Sequence, residues 1–304
     1  MSRSAHAGKP LHGLVTAAFG RHYEVITDSG CLQGYPRGKK SVFACGDEVD
    51  IAPRGDGQGA IEHLHPRRNL LWRSDAFREK LIAANLSQVV IVVATEPAFS
   101  DLLVSRCVCA AESQDLKALI VLNKADLAER LPAARESLAM FTALGYRVVE
   151  LSALDGADAL GAYLQGERSI LVGQSGMGKS TLTNALIPEA NAATREISTA
   201  LDTGKHTTTF ARLYPLPGDG WLIDSPGLQA FGLAHLDPDH LAECFVEFRP
   251  YLGQCRFRDC RHDAEPGCAL RGALAAGVIH PRRFEHYRAI RTEIAEAKRL
   301  NPGW

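Results

Sequence analysis

The stretch Gly173-Gln174-Ser175-Gly176-Met177-Gly178-Lys179-Ser180 decides the fold. It follows the apolar run Ser169-Ile170-Leu171-Val172 and opens the helix-compatible segment Thr181-Leu182-Thr183-Asn184. The spacing fits GxxxxGK[ST], in which glycines let backbone N–H groups curl around phosphate oxygens and a helix N-terminus adds partial positive charge. In that pattern Lys179 reaches the β- and γ-phosphates and the Ser180 hydroxyl ligates Mg2+. Gly173 through Thr181 are therefore the expected phosphate-binding set. A glycine-rich turn without a ligand is the bland alternative, and the match at every fixed position between a strand and a helix argues against it.

Working outward, Lys117-Ala118-Leu119-Ile120-Val121-Leu122 reads as a strand ending in Asn123-Lys124-Ala125-Asp126, which fits NKxD. The Asp126 carboxylate can accept from N1–H and the exocyclic amine of guanine, whereas adenine would leave it unpaired. Asn123 can fix either the loop or the base, and the Lys124 stem can cover the ring. Alone, four such residues are equally a surface helix start; beside a phosphate loop they specify GTP and GDP. Arg147-Val148-Val149-Glu150-Leu151 leads to Ser152-Ala153, whose backbone N–H is placed to meet guanine O6.

Downstream, Gly204-Lys205-His206-Thr207-Thr208-Thr209 offers a switch threonine for Mg2+ and the γ-phosphate. Thr208 is the preferred candidate, with Thr207 and Thr209 still open. Trp221-Leu222-Ile223 then delivers Asp224-Ser225-Pro226-Gly227, a DxxG element in which Asp224 holds Mg2+ through water and the Gly227 N–H senses the γ-phosphate. After Gly227 stands Leu228, which cannot orient a water, with Gln229 one place on. Slow unaided hydrolysis follows.

The order of these parts is unusual. Strands alternate with helical stretches from Val89 to Gly227, as in a doubly wound parallel sheet. Yet the guanine motifs precede the phosphate loop, so the arrangement is a circular permutation, with residues 154–168 joining the old ends. The cut falls after the second switch, so whatever follows Gly227 is expected to change its docking with the nucleotide.

Residues 1–10 read as a flexible tail. Short alternating strands follow to residue 67, among them Leu14–Ala17, Tyr23–Thr27, Ser41–Phe43 and Glu48–Ile51, spaced as in a small β-barrel. A loop at Tyr35-Pro36-Arg37-Gly38-Lys39-Lys40 suits RNA in an OB-type barrel, though an SH3-like barrel would look the same. Net charge over 304 residues is −1, but residues 1–75 carry ten Lys and Arg against eight Asp and Glu, and residues 249–304 eleven against six. Basic ends around an acidic middle point to a polyanion at the ends. No apolar run is long enough to span a bilayer, so a cytoplasmic protein with no membrane partner is expected.

Eight cysteines in such a chain argue for thiols or a metal. Cys255, Cys260, His262 and Cys268 form C-x4-C-x-H-x5-C, a donor set for one closed tetrahedral Zn2+, or else unrelated thiols. Cys31 and Cys45 are expected in the barrel interior, and Cys107 and Cys109 on different faces of a helix. The segment from His280 to Arg288 begins a basic helix, with Phe284 and Tyr287 inward and the arginines outward.

The permuted order, the GQSGMGKS loop, the GKHTTT segment, DSPG followed by Phe231-Gly232-Leu233-Ala234-His235, and Tyr251-Leu252-Gly253-Gln254-Cys255 through Cys268 together resemble the ribosome-small-subunit-dependent GTPase A family over essentially the whole chain. The resemblance implies a multidomain protein: an N-terminal all-β OB-fold (11–67), a central circularly permuted α/β P-loop GTPase domain (68–235) and a mainly helical zinc-binding domain (236–304). It further implies GTP hydrolysis stimulated by the small ribosomal subunit in late subunit maturation, contacts to rRNA, other assembly factors nearby, and a monomer. His235 falls at the family's FGLxH position and is a candidate for orienting the water, against a purely structural role. Two other classes compete. A metabolic kinase would have no use for NKAD, and a nucleotide-stabilised RNA-binding zinc protein would show little catalysis.

Overall fold

The computed structural model describes residues 9–20, 22–38, 43–75, 78–188, 211–225, 233 and 236–300. The tail 1–8, Lys39 to Val42, the switch threonines, Gly227 and His235 lie outside them.

Five strands form the N-terminal body: β1 (Leu11–Ala18), β2 (Tyr23–Thr27), β3 (Gly30–Pro36), β4 (Glu48–Gly55) and β5 (Gln58–Leu64). β1 pairs with both β2 and β4, and β3 pairs parallel with β5, so the order β1-β2-β3-β5-β4-β1 closes on itself. This OB-like closure leaves no free edge among the five. Alternation places Val15, Tyr23, Val25, Val49, Ile51 and Ile61 inside, with Phe43 against Tyr23. Two expectations are corrected. Tyr35 and Pro36 end β3 rather than lying in a loop, and Cys31, on the same strand, is exposed, whereas Cys45 is fully buried. The hairpin β6 (Leu70–Asp75) and β7 (Arg78–Ala84) follows the barrel.

The central sheet has the order β10-β9-β8-β11-β13-β12, from β8 (Gln88–Ala94), β9 (Lys117–Asn123), β10 (Arg147–Glu150), β11 (Arg168–Val172), β12 (Arg212–Leu216) and β13 (Gly220–Asp224). All neighbours are parallel except β12 with β13. β8 is Gln-Val-Val-Ile-Val-Val-Ala with every residue buried, because a central parallel strand is covered on both faces. Helices α1 (Asp101–Glu112), α2 (Leu131–Ala143), α3 (Gly161–Leu164) and α4 (Lys179–Leu186) connect the strands. Barrel and sheet meet where Ala17 of β1 pairs with Arg212 of β12, and the Arg212 guanidinium also reaches both Glu24 oxygens at 2.5 and 2.6 Å.

The C-terminal part carries α5 (Ala269–Ala275) and α6 (Pro281–Leu300). Phe284 and Tyr287 face inward as expected, stacking around Phe248. The arginines are not all outward. Arg283 is fully buried, with Nε donating to Glu247 at 2.7 Å, Nη1 to Ser105 Oγ at 2.7 Å, and its guanidinium 4.5 Å from the Phe245 ring. A buried guanidinium is tolerable only when paired and bonded in this way. The Ser105 hydroxyl meets His286 Nδ1 at 2.8 Å, and Arg282 pairs with Asp101, so α6 is bolted to α1. This explains Cys107 and Cys109. They do point to different sides of α1, and both are fully buried because the sheet covers one side and the C-terminal part the other.

Candidate functional site

The sequence motifs converge at the carboxyl edge of the parallel strands, where ligands sit in open α/β sheets. β11 ends at Val172 and passes into the phosphate loop; β9 ends at Asn123; β13 ends at Asp224. Two glycines are required by contact. A Cβ on Gly173 would stand 2.1 Å from the Val92 carbonyl oxygen, and one on Gly178, whose φ is 87°, would stand 2.3 Å from Asn123 Nδ2. The loop is therefore pressed against β8 and against the NKAD turn.

Asn123 is the joint of the site. It is 2% exposed; its Nδ2 donates to the Met177 carbonyl at 2.9 Å and its Oδ1 accepts from the Ala153 N–H at 2.9 Å. Of the two roles open to it in the sequence, the amide takes loop fixation. The Ala153 N–H is thereby already donated. Lys124 follows with φ 59°, a left-handed conformation that costs a side-chain-bearing residue about 1–3 kcal/mol. Thr95 Oγ1 donates to its carbonyl at 2.9 Å and the Ala125 N–H donates to Leu151 at 3.0 Å, holding the strained turn. The Lys124 ammonium donates to the Glu96 carbonyl at 2.7 Å, and Asp126 is exposed. The Ser152 hydroxyl oxygen is buried without a hydrogen-bond partner among the described residues.

In the phosphate loop Ser175 and Gly176 are exposed and Met177 is buried, its side chain part of the core. Lys179 folds its ammonium onto the carbonyls of Gly173 and Gln174, the latter at 2.8 Å. Burial lowers its pKa, and the Asp224 charge works against that shift. Burial likewise raises the Asp224 pKa, with Lys179 opposing. Cation and carboxylate thus share one poorly hydrated region, and added phosphate oxygens and a divalent cation would meet complementary charge there. Ser180 and Thr181 lie in the first turn of α4, with Ser180 exposed. Sequence reasoning left out two supporting contacts. Thr95 brackets the NKAD turn, and Gln174 Oε1 accepts from the Ser100 N–H at 2.8 Å, at the cap of α1. Only the place of Thr95, just past a continuous apolar strand, hinted at it.

A second cluster lies at the C-terminal part. The donor atoms of Cys255, Cys260, His262 and Cys268 lie within 4.8 Å of one another, with His262 Nδ1 3.5 Å from Cys255 Sγ and 3.4 Å from Cys268 Sγ. A tetrahedral zinc with Zn–S of about 2.3 Å and Zn–N of about 2.0–2.1 Å has an S···N edge of about 3.5 Å, so the donor set fits the ion. The Ala269 N–H donates to Cys255 Sγ, the outer contact that thiolate ligands commonly receive. Burial, with the neighbouring Cys268 and Cys255 adding to it, pushes the Cys260 thiol up to about 12.

Residues 64–234 match the family described as RsgA GTPase. The chain is 53% identical to the small ribosomal subunit biogenesis GTPase RsgA of Paraburkholderia phymatum over 95% of its length and 93% of that protein. It is 52% identical to the protein of that name from Ralstonia pickettii, over 94% of each. Among solved structures it is similar to YjeQ from Thermotoga maritima (TM-score 0.74, 30% identity, 94% of this chain and 99% of that one). It is also similar to YloQ, described as a circularly permuted GTPase (TM-score 0.71, 25% identity, 97% and 98%).

Proposed function

The chain belongs to the RsgA GTPase family, and from that membership we propose how its residues carry out GTP hydrolysis in biogenesis of the small ribosomal subunit. The observation that carries the reading is the Asn123 amide, which ties the phosphate loop at Met177 to the guanine-side loop at Ala153. Nucleotide specificity and phosphate binding are thereby one rigid unit despite the permuted order of the chain.

In this reading Asp126 accepts from the N1–H and amine of guanine, Lys124 covers the ring, and Ser152 and Ala153 line the O6 side. The backbone N–H groups from Gly173 to Thr181 cradle the phosphates. Lys179 exchanges neutral carbonyl partners for anionic phosphate oxygens, adding charge–charge attraction to hydrogen bonds that its own charge already assists. Ser180, Thr208 and, through water, Asp224 would hold Mg2+, which when bound withdraws charge from the β- and γ-phosphate oxygens. The Gly227 N–H senses the γ-phosphate. Leu228 leaves the attacking water unoriented, so His235 or a group on the ribosomal partner completes the site and unaided turnover is slow.

Cys255, Cys260, His262 and Cys268 would hold one structural Zn2+, whose binding folds the knuckle. The OB-fold (11–67) and the zinc domain (236–304) flank the GTPase domain (68–235) and supply the contacts to rRNA, the excess of basic residues at both ends being the support for this. The protein would act as a monomer in the cytoplasm alongside other assembly factors; no helix among the described residues is long and apolar enough to cross a membrane.

The test is GTP turnover alone, with purified small subunits, and with large subunits in parallel. Stimulation by the small subunit alone is expected. Equal, slow rates in all three would overturn the ribosome-dependent reading and favour a GTP-binding zinc protein with another partner.

A further inference from the structure

On the outer face of the barrel three imidazoles surround one carboxylate. Asp50 on β4 stands directly opposite His12 on β1 and His63 on β5, so all three side chains leave the sheet on one face. That face is the outer one, because the flanking Val49 and Ile51 fill the interior. His65, just past β5, is held there by its N–H donating to the Glu48 carbonyl at 2.9 Å, and its Nε2 lies 2.9 Å from Asp50 Oδ1. His12 and His63 each meet the His65 ring edge to face, at 5.1 and 5.2 Å between centroids.

One donor atom from each of His12, Asp50 and His65 lies within 4.8 Å of the other two. A metal with N and O ligands at about 2.0–2.2 Å has ligand–ligand edges of about 3.3 Å. Asp50 Oδ1 and His65 Nε2, at 2.9 Å, already lie inside that spacing, and His12 is exposed.

We propose that His12, Asp50 and His65 bind a divalent transition-metal ion on the barrel surface, with His63 beside them as a further imidazole. The donor chemistry sets the class. Two imidazoles and a carboxylate suit Zn2+, Co2+ or Ni2+, whereas Mg2+ and Ca2+ prefer all-oxygen sets. Asp50 at the centre disfavours a phosphate anion there. The simpler alternative is a surface His–Asp hydrogen bond with two imidazoles packed beside it. The two differ in consequence, because a bound ion would clamp β1 to β4, the pairing that closes the barrel, and to the segment beyond β5. The site is separate from the Cys255 cluster and involves none of the nucleotide motifs.

The experiment counts metal on the full chain. Wild-type protein and a His12→Gln/His65→Gln variant are dialysed against about 10 μM free Zn2+ and the bound zinc is measured by elemental analysis. Wild type is expected to hold one equivalent more than the variant, whatever the cysteine cluster binds. Titration with Co2+ adds a signature, since filling this site should add ligand-field absorption without any thiolate-to-cobalt charge-transfer band. The near-isosteric Asp50→Asn substitution should also lose the extra equivalent, and it serves if the double substitution disturbs the barrel. Equal zinc content in wild type and variants overturns the proposal, as does an extra equivalent that brings thiolate charge-transfer absorption.

Discussion

Gln174, inside the phosphate loop, accepts a hydrogen bond of 2.8 Å at its Oε1 from the backbone N–H of Ser100, the residue that caps α1. α1 in turn carries Asp101 and Ser105, the partners of Arg282, Arg283 and His286 on α6. The loop expected to cradle phosphate is thus two contacts from the C-terminal helix, by a route independent of the chain that follows Gly227. Gln174→Ala is expected to cost about 1 kcal/mol of stability. It should also shrink the difference in amide hydrogen exchange of residues 281–300 between GTP-analogue and GDP forms. No difference in the wild-type protein, or an unchanged one in the variant, would count against this coupling.

Asn123→Ala removes both ends of the amide and leaves the Met177 carbonyl and the Ala153 N–H unpaired in a buried region. At about 1–3 kcal/mol for each stranded group the fold should lose about 2 kcal/mol or more of stability, and guanine nucleotide affinity should fall as the preformed joint between the two loops is lost. Equilibrium binding of a fluorescent GDP analogue reads this directly. Urea unfolding reads the stability loss, and an unchanged nucleotide affinity beside it would show that the joint does not set the site.

Asp126→Asn tests the base contact. An amide accepts from N1–H as the carboxylate does, but its NH2 opposes the guanine amine and matches the 2-oxo group of xanthine. The variant should lose affinity for GDP and gain it for xanthosine diphosphate in competition binding. Equal loss for both bases would mean that Asp126 does not read the base.

His286 gives the contact between α1 and α6 a pH dependence. Burial lowers its pKa below the usual 6.5, with the Asp101 and Glu285 charges opposing and Arg283 and Arg282 reinforcing the shift. A histidine whose folded pKa is depressed stabilises the fold above its unfolded pKa, and that contribution is lost as pH falls from about 6.5 toward the lower folded value. The melting temperature should therefore drop more steeply between pH 7 and pH 5.5 in wild type than in His286→Gln. Parallel curves would show that the group is not linked to folding.

Metal removal should act locally. If Cys255, Cys260, His262 and Cys268 hold zinc, a strong chelator should abolish amide protection over residues 255–268 and weaken the packing of His262 against Tyr287, 6.3 Å between ring centroids. β8 and β9 should keep their protection. Retained protection at the knuckle after complete zinc loss would make the cluster a set of unrelated thiols.

The sequence by itself determined the chemistry and its unusual order. The spacing from Gly173 to Ser180, the NKAD turn and the Cys/His spacing are local patterns, legible because each must satisfy a loop or a ligand shell within a few residues. What only the tertiary structure decided depends on partners far apart along the chain. Nothing local says that the amide of Asn123 serves Met177 and Ala153 rather than a base, since that follows from β9 and β11 ending on either side of β8 at one edge of the sheet. Arg283 reads as an outward cation in a basic helix, and it is buried because α1 brings Ser105 to it while Glu247 neutralises it. Cys31 is exposed on its barrel strand while Cys45 is buried at 0%. His12, Asp50 and His65 carry no motif at all. They meet only because the barrel closes β1 against β4, and closure is a property of strand register, which no short stretch of sequence contains.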